Sequence, residues 1–428
     1  NLDMKKIKLF ISGFFVFGIF YVLETKIGSV PALGKFLNPV TGIWQNEKNE
    51  TISGEVIIPG LRGKVIVYYD KQMIPHVFAK NDHDLYKAQG YLTAKHRLWQ
   101  LEFQTHAAAG RLSEILGDLA INYDRTQRRI GMIYGAEQGL KYMEKYDKET
   151  LGFVHDYTEG ANAFINQLDP MNYPIEYKLL DYSPEKWTPK KSALLLMYMT
   201  KMLAGRDDDL EYTNVLRLIG MDNFNLLFPD FFDSVDPVIP KQTDWSFIDQ
   251  PQTSLPLNYA VLDTIFETID KTNPDNGSNN WAISGAKSIT GNPILANDPH
   301  LGLNLPSIWM MMQLCSPSHN VMGTTIPGAL SIISGFNQNI AWGETNATRD
   351  VIDWYKIEFN QDRTKYLYDD SWKDVKIRLE EIKIRGGETI IDTVLYTHHG
   401  PVVYDKNFKF NNQRSGYAMR WIAHDGGN

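Results

Sequence analysis

The sequence predicts an α+β chain in which a helix-rich front half is followed by a strand-rich back half. Three observations carry this expectation: an apolar stripe at helical spacing between residues 82 and 110, a proline-rich stretch over residues 230–256 unsuited to one continuous regular element, and short strand-like runs after residue 277. With 428 residues, 43% of them hydrophobic and 22% charged, the chain has ample material for a core and a length suited to about two or three domains. A net charge of −8, with acids and bases interspersed, gives no basic footprint, so nucleic acid is not an expected partner. The single cysteine, Cys315, excludes an intramolecular disulfide and a multi-cysteine zinc site, and its apolar neighbours predict a buried, inert thiol.

Taken in order, residues 1–30 read as a signal peptide or a membrane anchor. Lys5, Lys6 and Lys8 precede an apolar run over residues 9–23, which is short for a span and lacks a clean cleavage site after it. Residues 31–53 read as a polar linker, and the folded part is expected outside the cytoplasm. Val65-Ile-Val-Tyr-Tyr69 is a strand, and Asp82 is the expected cap of a helix reaching Gly110, with Leu85, Ala88, Leu92, Leu98 and Leu101 as its buried stripe. A second helix is expected over residues 191–203. Strands follow over residues 280–284, 293–296, 340–342 and 354–359, and residues 375–385 and 388–396 flank Gly386-Gly387 as a two-residue hairpin turn.

Gly277-Ser278-Asn279-Asn280-Trp281 stands at the junction of the two halves. By itself it is good turn chemistry. If the Gly277–Ser278 bond is cut, however, Ser278 acquires an α-amine whose unperturbed pKa is roughly 7.7–8.0, so one residue holds a hydroxyl nucleophile and a base.

Four further stretches decide between these readings. Asp82-His-Asp-Leu-Tyr-Lys-Ala-Gln-Gly-Tyr leading to Gly110-Arg-Leu-Ser-Glu, then Asn297-Asp-Pro-His-Leu301, Gly335-Phe-Asn-Gln-Asn-Ile-Ala-Trp-Gly-Glu-Thr345 and Tyr417-Ala-Met-Arg-Trp421, occur with Ser278-Asn-Asn-Trp281 in an order that resembles the penicillin acylase family of N-terminal-nucleophile hydrolases. The resemblance implies an αββα four-layer sandwich with additional helices. It also implies a precursor that cuts itself before Ser278 into an α-chain (54–240), a spacer propeptide (241–277) and a β-chain beginning at residue 278, of which residues 278–428 are the N-terminal part. The implied activity is hydrolysis of the amide bond in small N-acylated substrates such as penicillins, cephalosporins or N-acyl homoserine lactones, with no organic cofactor. A catalytically silent, membrane-tethered binding protein of the same fold is the alternative. No Gly-x-Ser-x-Gly elbow offers a separate serine-hydrolase site.

The same resemblance assigns roles. Ser278 is the nucleophile and Gly277–Ser278 the processing bond. His300, expected on a loop leaving a strand near residue 296, approaches the nucleophile, and the backbone N–H of Asn346 serves the oxyanion. Glu211, Asp350, the Ile352 carbonyl and Asp353 form a calcium site joining the two chains, their hard oxygens suiting Ca²⁺. Met202, Leu301 and Ile332, with Leu203, Trp309 and Ile333 beside them, are the expected acyl pocket, and Leu301 and Ile332 favour an aliphatic acyl group. A second oxyanion donor, an asparagine, and an arginine are expected past residue 428.

Overall fold

The computed structural model describes residues 2–26, 31–47, 53–204, 207–229, 239–240, 242–247, 276–347 and 349–427. Helices α1 (Leu2–Glu24), α2 (Asp82–Ala109), α3 (Ser113–Leu116), α4 (Ile121–Arg129), α5 (Met132–Tyr146), α6 (Lys148–Ile165), α7 (Ile175–Leu180), α8 (Pro189–Ala204) and α9 (Asp209–Leu227) make up the front half with strands β1 (Ile66–Tyr69) and β2 (Pro75–Phe78). The back half is strands: β3 (Gly277–Ile283), β4 (Ile294–His300), β5 (Met310–Cys315), β6 (Asn320–Thr325), β7 (Ser334–Phe336), β8 (Ala341–Trp342), β9 (Ile352–Glu358), β10 (Lys365–Tyr368), β11 (Ser371–Asp374), β12 (Lys376–Ile382), β13 (Ile390–Thr397), β14 (Gly400–Tyr404) and β15 (Ser415–Trp421). The chain is α+β, and most of the expected spacer lies outside the described residues.

Two sheets lean on the helices. One runs β1-β2-β5-β6-β7-β8, with front-half strand β2 pairing in parallel with back-half strand β5; the other runs β12-β13-β14-β15-β9. Ribbons β3-β4 and β10-β11 stand apart from them. Helix α2 reaches both cores. Near its start Leu85, Ala88, Tyr91 and Leu92 pack with Val77, Met310, Met312 and Leu314 of the first sheet. At its end Ala108 and Ala109 join Met132, Leu194, Met197, Tyr404, Tyr417 and Trp421 over the second. Helices α2 and α6 cross so closely that a Cβ on Gly160 would lie 1.8 Å from the Lys87 carbonyl oxygen, and one on Gly90 2.0 Å from that of Tyr157. Even alanine is too large at either position.

Several sequence expectations shift here. The cap of α2 is Asn81, whose side chain accepts from the Asp84 N–H, and not Asp82. The Asp82 carboxylate instead accepts from the hydroxyls of Ser316 and Ser318, pinning the β5–β6 turn to the helix start. The stripe continues past a kink at Arg97 and ends at Gly110 in the left-handed conformation. Gly386-Gly387 is not a two-residue turn: pairing between β12 and β13 stops at Ile382 and Ile390. The Arg385 N–H between them donates to the Ser113 carbonyl, so the loop is drawn out to dock on the helical half. Cys315 is half-buried at the end of β5.

At the N-terminus, helix α1 is 23 residues, and its Met4–Glu24 portion is long and apolar enough to cross a membrane, longer than the apolar run alone suggested. The segment expected as a free linker is docked over residues 35–47. The Lys178 ammonium donates to the Gly42 carbonyl and Asn46 Oδ1, and Lys35 pairs with Asp181.

Candidate active site

Ribbon β3-β4 places the junction serine. Its register sets Gly277 opposite His300 and Ser278 opposite Pro299, so the expected cleavage point is inside a paired strand. Gly277 lies outside the positive-φ region, and a Cβ there would meet only His300 Nδ1, at 3.7 Å, an ordinary contact. His300 is therefore not on a loop past residue 296. Strand β4 continues through Pro299, which this two-stranded ribbon tolerates, and ends on the histidine. The Asp298 carboxylate lies 3.0 Å from His300 Nε2, which leaves Nδ1 on the side of Gly277.

The Asn346 N–H points at Ser278 Oγ, 3.4 Å away. Its side-chain amide donates to the Leu203 carbonyl, so the turn bearing that N–H is tied to the end of α8 as well. Ser278 and Asn346 both line an apolar cavity of about 690 Å³ set between α5, α6, α8 and the strands of the back half. Leu195, Met199, Leu301, Ile326 and Ile333 form its walls, and Trp309 is the one aromatic side chain among the described lining residues.

The expected pocket residues divide. Leu301, Leu203, Trp309 and Ile333 line the cavity. Met202 packs beside it against the cluster of Leu195, Met199, Ile308 and Ile326 without lining it. Ile332 faces the opposite way, into the core with Val77 and Met312. Adjacent side chains here take opposite sides, so Ile333 and not Ile332 reaches the cavity.

Three contributors escaped the sequence reading. Asn280 Nδ2 donates to the Gly343 carbonyl at 2.6 Å, and Asn297 Nδ2 to the Glu344 carbonyl at 2.8 Å. Ser334 Oγ donates to Glu344 Oε2 at 2.8 Å. Nothing local announces these contacts, because the first two join positions 63 and 47 residues apart.

Glu211 lies in the first turn of α9, Asp350 two residues ahead of β9 and Asp353 second within it, and the Asp350 carboxylate accepts the Ile352 N–H. Burial pushes the Asp353 carboxyl up and the Asp350 charge pushes it further, against a smaller opposing pull from Arg420. A repelling acid pair beside a backbone carbonyl is a donor set that suits a hard dication. The three carboxylates are nonetheless not drawn together. Among the described residues, the set of three acids or histidines whose ligand atoms all lie within 4.8 Å is His106, Glu114 and Glu185, and there the Arg111 guanidinium bonds both carboxylates.

Comparison with known proteins places the sequence among acylases. A penicillin acylase 2 proenzyme of Pseudomonas sp. (strain SE83) is 30% identical over 360 residues, which cover 82% of this chain and 45% of that protein. An acyl-homoserine lactone acylase of Pseudomonas aeruginosa is 28% identical over 360 residues, covering 82% and 41%. Among solved structures, a thermostable penicillin G acylase from Alcaligenes faecalis aligns over 34% of this chain and 25% of that one, at 27% identity and a TM-score of 0.31. The chain thus spans less than half the length of these curated relatives. Since residues 64–428 match the model of the family described as penicillin amidase, the chain belongs to the penicillin amidase family.

Proposed function

We propose that this chain carries the nucleophile of a self-processing acylase that hydrolyses the amide bond of small N-acylated substrates. The observation that carries the reading is Ser278 Oγ at the rim of an apolar cavity with a backbone N–H aimed at it. In the first reaction the Ser278 hydroxyl attacks the Gly277 carbonyl carbon and its proton passes to a base. The C–N bond between the two residues breaks as the Ser278 nitrogen takes up a proton, leaving a Gly277 ester on Oγ. That break frees the α-amine; water then hydrolyses the ester, which frees the Ser278 hydroxyl and leaves Gly277 with a C-terminal carboxylate. In turnover Oγ attacks the substrate's amide carbonyl, the amine relays the proton to the leaving nitrogen, and water releases the acid. The Asn346 N–H stabilises the oxyanion in both reactions. His300, with Nδ1 beside Gly277, orients the reacting groups at the junction.

The cavity's aliphatic walls support a fatty acyl group, as in N-acyl homoserine lactones, over the arylacetyl group of a penicillin. Purified complete protein should yield a fragment whose N-terminal sequence is Ser-Asn-Asn-Trp. It should cleave a decanoyl amide with kcat/KM about tenfold above a phenylacetyl one, a margin reachable by a few buried methylenes. An uncut chain, or a preference for phenylacetyl, refutes the respective half of this reading.

Glu211, Asp350, the Ile352 carbonyl and Asp353 would hold a calcium ion whose work is to join the α- and β-chains. With the rest of the protein the fold would complete an αββα sandwich, and α1 would deliver the body to the periplasm or hold it there on the membrane. Chelation should lower the Tm of the processed protein by several degrees, with recovery on adding Ca²⁺ but not Mg²⁺. An unchanged Tm removes the ion from the account.

A further inference from the structure

We infer that Asn280 and Asn297 are positioning residues that aim the oxyanion donor, an inference that rests on the reading of Ser278 as nucleophile. Residues 343–347 carry the Asn346 N–H yet belong to no strand. They are instead strapped to the nucleophile's own ribbon by side chains. Asn280, two residues past Ser278 on β3, holds the Gly343 carbonyl at 2.6 Å; Asn297, its cross-strand partner on β4, holds the Glu344 carbonyl at 2.8 Å. Successive carbonyls are thus tied to a facing pair of asparagines, one on each strand.

The local packing leaves little room for slip. A Cβ on Gly343 would lie 2.5 Å from Asn297 Cγ, so the segment approaches the asparagine as closely as a backbone can. Ser334 Oγ closes the arrangement, donating to Glu344 Oε2 at 2.8 Å and lying 3.3 Å from Asn297 Oδ1. From the Glu344 carbonyl, two residues lead to the Asn346 N–H, 3.4 Å from Ser278 Oγ. Nucleophile and donor therefore share one rigid frame. An oxyanion donor must meet the oxygen at about 2.7–3.1 Å, and a displacement near 1 Å costs on the order of 100-fold in rate.

Asn297→Asp in the complete protein tests this, because it keeps the shape and replaces the N–H donor by a repelling oxygen. The expected result is correct cleavage before Ser278 at a reduced rate and a kcat lowered 10–100-fold, as orders of magnitude for a misaimed donor, with KM changed less than about threefold. The specific readout is binding of n-octylboronic acid, whose boron adds to Ser278 Oγ as a tetrahedral anion while the serine proton passes to the α-amine. Its affinity should fall in parallel with kcat, while octanoic acid, which needs only the cavity, binds as in the wild type. Asn280→Asp should act in the same direction, and it decides the matter if Asn297→Asp does not fold. Wild-type kcat and boronate affinity in the folded variant overturn the inference. Boronate binding that survives Ser278→Ala would instead overturn the assignment of the nucleophile.

Discussion

Replacing Ser278 with alanine should leave the precursor uncut and reduce amide hydrolysis to the background of uncatalysed reaction, the largest effect expected of any single change in this chain. The hydroxyl oxygen forms both esters, and the α-amine that serves as base exists only once the first attack has broken the Gly277–Ser278 C–N bond. One substitution therefore removes nucleophile and base together. Loss of a nucleophile that works as a unit with its base costs on the order of 10⁶ in kcat. The fold should be spared, because the side chain is small and half-exposed and alanine fits the strand. Mass spectrometry should find one intact chain with a wild-type Tm. Normal cleavage in Ser278→Ala would mean that another residue performs the attack.

Arg129→Ala should have the largest effect on stability. Arg129 is fully buried at the end of α4 and reaches across to the back half: its guanidinium makes a bidentate pair with Asp392 at 2.7 Å, bonds Asp405 at 3.0 Å and also donates to the Val403 carbonyl. Arg125 and Arg363 approach the same two carboxylates. Removing the central cation leaves two buried acids short of charge, at a cost of about 3–5 kcal/mol. Arg129→Lys should not rescue it, since one ammonium cannot serve a bidentate acid and a second acid at once. Once the chain is cut, these pairs would join two separate polypeptides, so size-exclusion chromatography of the processed variant should show α- and β-chains parting.

Acid should produce the same separation. Burial pushes the Asp392 carboxyl up, but Arg129 and Arg125 outweigh it and hold the group below its usual range. A carboxyl lowered in the folded state contributes its full stabilisation above about pH 4, the unfolded value, and loses it as the pH falls through the folded one.

How much of this could be read beforehand differs from element to element. Helix α2 was legible because its stripe repeats at the helical period, but the adjacent Asn81 and Asp82 are equally good caps in sequence and only the fold chooses between them. Ser278, His300 and Asn346 were singled out by motif order, and the structure brings the Asn346 N–H to 3.4 Å from Ser278 Oγ. Ile332 was expected in the pocket alongside Ile333, but the two adjacent side chains take opposite sides and Ile333 alone of the pair lines the cavity. Asn280 and Asn297 lie inside the family's motifs, but their role as straps was not legible, since a side chain that bonds a distant backbone does not reveal its partner. Gly386-Gly387 looked like a tight turn until Arg385 was seen bonded to the helical half.

The clamp of Lys178 on residues 42 and 46 also sets a distance. If α1 remains in the bilayer, only about ten residues separate Glu24 from docked Lys35, a tether of roughly 35 Å when fully stretched. The body could then neither drift into the surrounding fluid nor tumble freely. It would sample a shell roughly 35 Å deep above the lipid, less than its own diameter, where amphiphiles partition and their local concentration exceeds that in bulk.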